Sequence, residues 1–127
     1  EVAMPGHGVL QFISTHLDFG RNVENRVAQA ESLRRLIVQD DRASILAGDM
    51  NSRIDSEAMQ ILAARWTNAA PVDRSSADPP TSPQGRVDHV LVRPSDAWRV
   101  IEWTVVDAPV ASDHQPVLAV LEWIGKN

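Results

Sequence analysis

Four short polar strings sit at the ends of apolar, strand-like runs, and this arrangement constrains the fold more than any other feature. Thr15-His16-Leu17-Asp18 follows the run at 9–14, and Gly48-Asp49-Met50-Asn51 follows the run at 43–47. Arg86-Val87-Asp88-His89 opens the run at 87–92, and Ser112-Asp113-His114-Gln115-Pro116 leads into the run at 116–123. Short apolar runs rich in Val, Ile and Leu read as buried strands. Side chains of His, Asp and Asn delivered from the ends of several strands can meet only if those ends share one sheet edge. An active site built from them would sit on the polar edge of an otherwise apolar sheet.

Between the first two runs, residues 22–39 carry Val23, Val27, Ala30, Leu33, Leu36 and Ile37 at intervals of three and four. Glu24, Arg26, Glu31, Arg34 and Arg35 fall on the opposite side, the pattern of an amphipathic helix with Asn22 placed to cap it. Asp55 or Ser56 is placed to cap a second helix running to about Arg65, with Met59, Leu62 and Ala63 facing inward. Residues 67–85 are rich in Pro, Ser, Asp and Ala and read as one long loop, a kind of segment that is often functional. Thr81 within it reads either as structural or as substrate-facing. Residues 98–106 set Val100, Trp103 and Val105 against Arg99, Glu102 and Thr104, as in a half-exposed strand. Strand, helix, strand, helix, then several strands is a mixed α/β order. One domain is expected for 127 residues.

A net charge of −5 argues against broad, sequence-independent nucleic-acid binding, which needs clustered Lys and Arg to displace counterions. It leaves a nuclease open, because a metal can neutralise phosphate locally. The absence of cysteine excludes disulfides and thiolate metal sites. No apolar run approaches the ~18 residues of a membrane-spanning helix. Trp66, Trp98, Trp103 and Trp123 lack interleaved basic residues and read as core or sheet-face residues rather than base-stacking platforms.

The four strings suit hydrolysis of a phosphate ester. That chemistry needs an aimed water, neutralised phosphate oxygens and a stabilised leaving oxygen. Asp49 and Asn51 are two apart, so in an extended segment they point to one side. A carboxylate with an amide oxygen can orient water or hold Mg2+ or Mn2+, which prefer oxygen ligands. Asp113 sets a carboxylate beside the His114 imidazole, which can hold a phosphate oxygen when charged or relay a proton when neutral. Each string also has a plain structural reading. Gly-Asp-x-Asn is commonly an Asx turn, His16 can be a satisfied core histidine, Asp88 can pair with Arg86 or Arg74, and Asp113 can cap a turn before Pro116. His7 reads as a loop residue and His89 as structural.

Taken together and in this order, the strings resemble the motifs of the endonuclease/exonuclease/phosphatase superfamily, the DNase I-like fold. Thr15-His16-Leu17 is similar to its central His motif, and Arg26 with Gln29 to the Arg-x-x-Gln on the next helix. The strings at 48–51, 86–89 and 112–114 are similar to its Gly-Asp-x-Asn, Asp-(Tyr/His) and Ser-Asp-His motifs. The resemblance implies that Asp49 orients or activates water and that Asn51 binds phosphate or metal. It implies that His114 contacts the scissile phosphate with Asp88 behind it, that Asp113 is a metal ligand and that His16 holds a phosphate oxygen. Thr15, Arg26 and Ser112 are implied as supporting residues, and Mg2+ or Mn2+ as cofactor.

The family's first half supplies an Asn and the Glu that is its main metal ligand. Nothing before Thr15 offers either, since Glu1 is terminal and no Asn precedes Asn22. The resemblance is therefore to the C-terminal half: half of a DNase I-like α/β sandwich, one mainly antiparallel sheet with two helices, in which the final strand usually joins the other sheet. Such a half exposes an apolar sheet face, so either a homodimer or a missing N-terminal half is expected to cover it. If two copies rebuilt a site, Asp18 is the carboxylate nearest in position to replace the Glu. The expected activity is metal-dependent phosphoesterase chemistry, whole or as part of an enzyme. The alternative is a non-catalytic assembly or binding module that retains the motifs. The acidic balance and the short Gly20-Arg21-Asn22 connection favour small or lipid-like phosphodiesters over duplex DNA.

Overall fold

The computed structural model describes residues 1–37, 42–71, 79–108 and 110–125. Its elements are β1 (Val2–Met4), β2 (Gly8–His16), α1 (Val23–Ile37), β3 (Ser44–Asp49), α2 (Glu57–Ala63), β4 (Thr67–Asn68), β5 (Asp88–Arg93), β6 (Trp98–Val105) and β7 (Val117–Trp123). Five strands form one sheet in the order β1-β2-β3-β5-β4, and β6 and β7 form a separate antiparallel pair. Within the larger sheet β2 and β3 run parallel, joined through α1, and the other pairings are antiparallel. The mixed α/β class with two helices is the one read from the sequence, and β7 lies outside the main sheet, paired with this chain's own β6.

Strand alternation gives the two sheet faces different work. Ile13, Leu46 and Leu91 are in register across β2, β3 and β5. They belong to the core with Ala30 of α1, Ala58, Met59 and Leu62 of α2, and Leu17, Met50 and Trp66. Leu46 and Leu62 are wholly shielded from solvent. Burying one such side chain contributes about 1.5–3 kcal/mol. The other face carries the rows Phe12–Ile45–Val92 and Ser14–Ala47–Val90. Phe12 remains 54% exposed there. A cleft of about 300 Å³, lined in part by Ala47, Val90, Pro116 and Val117, lies between this face and β7.

The helix ends follow their capping chemistry. The Asn22 side chain accepts from the Glu24 N–H at 2.9 Å, and Ser56, rather than Asp55, caps α2 by accepting from the Met59 N–H. The apolar stripe expected on α1 is only partly buried: Ala30 is enclosed, while Val23 and Leu36 are 51% and 77% exposed. Those two lie at the ends of the helix. On α2 the inward residues are Ala58, Met59 and Leu62, and Ala63 is exposed. Residues 38 and 39, expected to continue α1, lie outside the described residues.

Residues 67–85 are not one loop. Thr67 and Asn68 form β4 on the edge of β5, and Ser82–Gly85 close a tight turn. Two polar strand residues between Trp66 and Ala69 give no period to read, which is why this edge strand was invisible in the sequence. The uneven spacing of Val100, Trp103 and Val105 has a structural cause, a register shift between Val100 and Glu102 that inserts one residue into β6. The tryptophans are packing residues. Trp66 is buried and donates to Ser44 Oγ. Trp98 and Trp123 meet edge to face with centroids 5.0 Å apart, and Trp103 lies under the Arg86 guanidinium. His7, in the turn after β1, meets the Trp123 ring edge.

Candidate active site

The register that aligns the apolar rows places His16, Asp49 and Asp88 side by side in the next row of the same face. Three of the four strings thus contribute one side chain each to a single line across β2, β3 and β5, at the sheet edge. The fourth string, just before β7, brings His114 over that line. His114 Nδ1 lies 2.9 Å from Asp88 Oδ2, and its Nε2 lies 3.9 Å from Asp49 Oδ2. His16 Nε2 is 3.4 Å from the same Asp49 oxygen. One carboxylate oxygen therefore faces two imidazoles.

Gly-Asp-x-Asn divides the work of building this point. Gly48 has φ +147°, and a Cβ there would fall 1.8 Å from the Thr15 carbonyl oxygen, so only glycine lets β2 and β3 approach this closely. Asp49 Oδ1 accepts the Asn51 N–H at 2.7 Å, an Asx turn that leaves Oδ2 to the cleft. Asn51 sits at φ +45°, a left-handed position that Asn tolerates. Its Nδ2 donates to the Leu17 carbonyl at 2.8 Å, tying this turn to the end of β2. The turn reading and the site reading of this string describe the same geometry.

A cleft of about 300 Å³ opens here, lined by His16, Phe19, Asp49, Asn51, Gln84, Asp113 and His114. Of Thr15, Arg26 and Ser112, expected to support it, none lines this cleft. Ser112 Oγ accepts the His114 N–H and donates to Asp113, fixing the backbone that carries the imidazole. Arg26 donates to the carbonyls of Asp18 and Gly20, at 3.2 and 2.6 Å. Thr15 alternates away from the cleft, in register with Gly48. Asp18 is spent locally. Its carboxylate accepts from Asn25 and from the Gly20 N–H, and these bonds, the Asn25 one foremost, hold its pKa below the usual value.

Two residues gain definite roles. Thr81 is fully buried. Its Oγ1 accepts the N–H groups of Val87 and Asp88, each at 3.1 Å, and its carbonyl accepts the Gln115 N–H at 2.7 Å. It thereby joins the two strings that supply Asp88 and His114. Buried His89 is structural, as its sequence position suggested. Asn68 Oδ1 is engaged by the Ala70 N–H, so the Asn68 amide donates to His89 Nδ1, and Nε2–H donates to the Ser52 carbonyl.

Burial alone would depress the pKa of His114. The hydrogen bond to Asp88 and the charges of Asp88, Asp49 and Asp113 outweigh it, so the pKa is raised above 6.5. Ligand atoms of Asp49, Asp88 and His114 lie within 4.8 Å of one another, close enough to hold one metal ion. Two carboxylates and an imidazole are a donor set that a divalent cation accepts. Asn51 and Asp113, named with Asp49 as ligands from the sequence, line the same cleft.

A mixed α/β fold with a His/Asp row at the edge of its main sheet points to one class of protein, and sequence comparison agrees. The chain matches the Endonuclease/Exonuclease/phosphatase family over residues 5–114, and it belongs to that family. No curated protein matches it. Among solved structures it is similar to an endonuclease/exonuclease/phosphatase from Beutenbergia cavernae, with TM-score 0.78 and 23% identity, covering 98% of this chain and 38% of that one. It is similar to the human nocturnin catalytic domain, solved with a bound sulfate anion, with TM-score 0.70 and 21% identity over 87% of this chain and 46% of that one. It is also similar to a mannosyl-6-phosphatase from Bacteroides thetaiotaomicron, with TM-score 0.62 and 22% identity over 88% of this chain and 51% of that one. At these identities the likeness is one of fold, the DNase I-like fold, and the chain spans about half or less of each structure.

Proposed function

We propose that this chain carries the phosphate-facing part of a divalent-metal-dependent phosphoesterase, which hydrolyses a phosphodiester or phosphomonoester with activated water. The observation behind this reading is the convergence of Asp49 Oδ2 with the imidazoles of His16 and His114, the latter backed by Asp88. Asp49, fixed through Oδ1, turns its second oxygen toward a water and can take that water's proton. Neutral His114 donates from Nδ1 to Asp88 and keeps Nε2 as an acceptor; protonated His114 donates from Nε2 to a phosphate oxygen. His16, largely exposed at the rim, holds a second phosphate oxygen. Asn51 contributes its free amide oxygen to the phosphate or the metal. A Mg2+ or Mn2+ ion held by Asp49 with Asn51 or Asp113 would neutralise phosphate charge and acidify a bound water.

Family membership and the mannosyl-6-phosphatase and nocturnin neighbours support phosphoester chemistry. The test is hydrolysis of bis(4-nitrophenyl) phosphate by this chain with Mg2+ or Mn2+, against Asp49→Ala. Metal-dependent turnover that falls at least ~100-fold in the variant is the expected result, in line with loss of a positioned acid–base group. Turnover no higher than that of the variant would sink the claim that this chain acts alone. The exposed Phe12 face favours a second reading, in which the chain works as an assembly unit. A second copy packed sheet on sheet, or an N-terminal half of the family fold, would cover that face.

A further inference from the structure

Phe19 lines the cleft with the proposed phosphate-handling residues and is 84% exposed. A single exposed apolar side chain is ordinary, but its mounting here is not. The chain on either side of it is fastened to α1. Gln29 Oε1 accepts the Asp18 N–H at 2.8 Å, and Asn25 donates to the Asp18 carboxylate at 2.9 Å. Arg26 Nη1 donates to both flanking carbonyls, Asp18 and Gly20. The Asp18 carboxylate accepts the Gly20 N–H, and a Cβ on Gly20 would sit 3.0 Å from that carboxylate. Three helix side chains thus hold a short loop whose central ring covers nothing of its own fold. Gln84, also exposed and on the same cleft, brings an amide that can donate and accept. The cleft lining contains no Lys or Arg among the described residues, so nothing in it would grip a second phosphate along a strand.

We infer that Phe19 is a specificity-determining residue, a fixed aromatic platform for the ring of a phosphate ester carrying one phosphate and one ring, with Gln84 bonding to that ring's polar groups. This rests on the phosphate-binding reading of the cleft given above. A sugar ring and a nucleobase share the chemistry required, a flat or CH-lined face bearing hydrogen-bonding groups at its edge. A short acyclic ester reaches the phosphate subsite and leaves the platform unused.

Calorimetric titration of the full chain, at constant Mn2+, separates these cases. The probes are inorganic phosphate, glycerol 3-phosphate, a hexose 6-phosphate and a nucleoside 5′-monophosphate, with parent and Phe19→Ala. Each ester's affinity is expressed relative to that of inorganic phosphate for the same protein. A ring ester is expected to bind about tenfold more tightly than glycerol 3-phosphate in the parent, and that margin, ~1.4 kcal/mol, is expected to vanish in Phe19→Ala and return in Phe19→Tyr. The ring ester that shows the margin assigns sugar or base. Equal binding of ring and acyclic esters by the parent, or a margin that survives Phe19→Ala, overturns the inference while leaving the phosphate site standing. Failure to bind inorganic phosphate at all overturns both.

Discussion

At the scale of single residues, Gly48 and His114 show how closely position sets chemistry. A methyl group at Gly48 would collide with the Thr15 carbonyl in the parallel β2–β3 pairing. Gly48→Ala is expected to cost about 2–5 kcal/mol from overpacking and strained φ, read as a lowered urea midpoint with unchanged slope. For His114 the sign of the pH effect follows from its raised pKa. Protonation contributes stability that is complete below pH 6.5, the ordinary value, and is lost as the pH rises through the raised folded-state value. In metal-free buffer, Asp88→Asn should lower the His114 pKa seen by NMR. It should also destabilise more at about pH 5.5 than at about pH 8.5; an equal deficit at both would contradict the assignment. These residues were legible because Gly-Asp-x-Asn and Ser-Asp-His are contiguous strings. Phe19 was not, because a lone aromatic in a short connection carries no pattern until its loop is seen to be tied down.

At the scale of elements, the segment before β5 matters more than its composition suggested. Thr81→Val keeps the shape but removes the acceptor for two buried N–H groups. A loss of about 1–3 kcal/mol is expected by urea unfolding, with a weaker Asp88–His114 coupling in the His114 titration. A variant as stable as the parent would mean that water or Gly85 takes over the role. The helices were legible from their 3.6-residue period, and the long strands mostly as short apolar runs. What stayed hidden was whatever depends on tertiary reach: the edge strand at Thr67–Asn68, the bulge in β6, and the exposure of Val23 and Leu36 at the ends of α1. Periodicity reports which side chains share a face, not how far the neighbouring element extends.

At the scale of the whole molecule, the two faces of the main sheet are unequal partners. Helices cover one, while the other leaves Phe12 exposed on the face that carries the proposed catalytic row. The expected behaviour at micromolar concentration is self-association detectable by light scattering, reversed by Phe12→Glu without loss of helix content. A strictly monomeric parent would remove the case for a second copy on that face. Among the described residues no helix is long and apolar enough to cross a membrane.

The alignment of His16, Asp49 and Asp88 also ties the row to the register of three strands. Were β2, β3 and β5 to zip together with the opposite faces exchanged, Thr15, Gly48 and His89 would stand where the proposed chemistry belongs. A slip of one strand alone would remove only that strand's member of the row. The Asp88-bound imidazole resonance of His114 is therefore a census of molecules with β5 properly seated, and in a refolded sample its intensity should count them before any substrate is known.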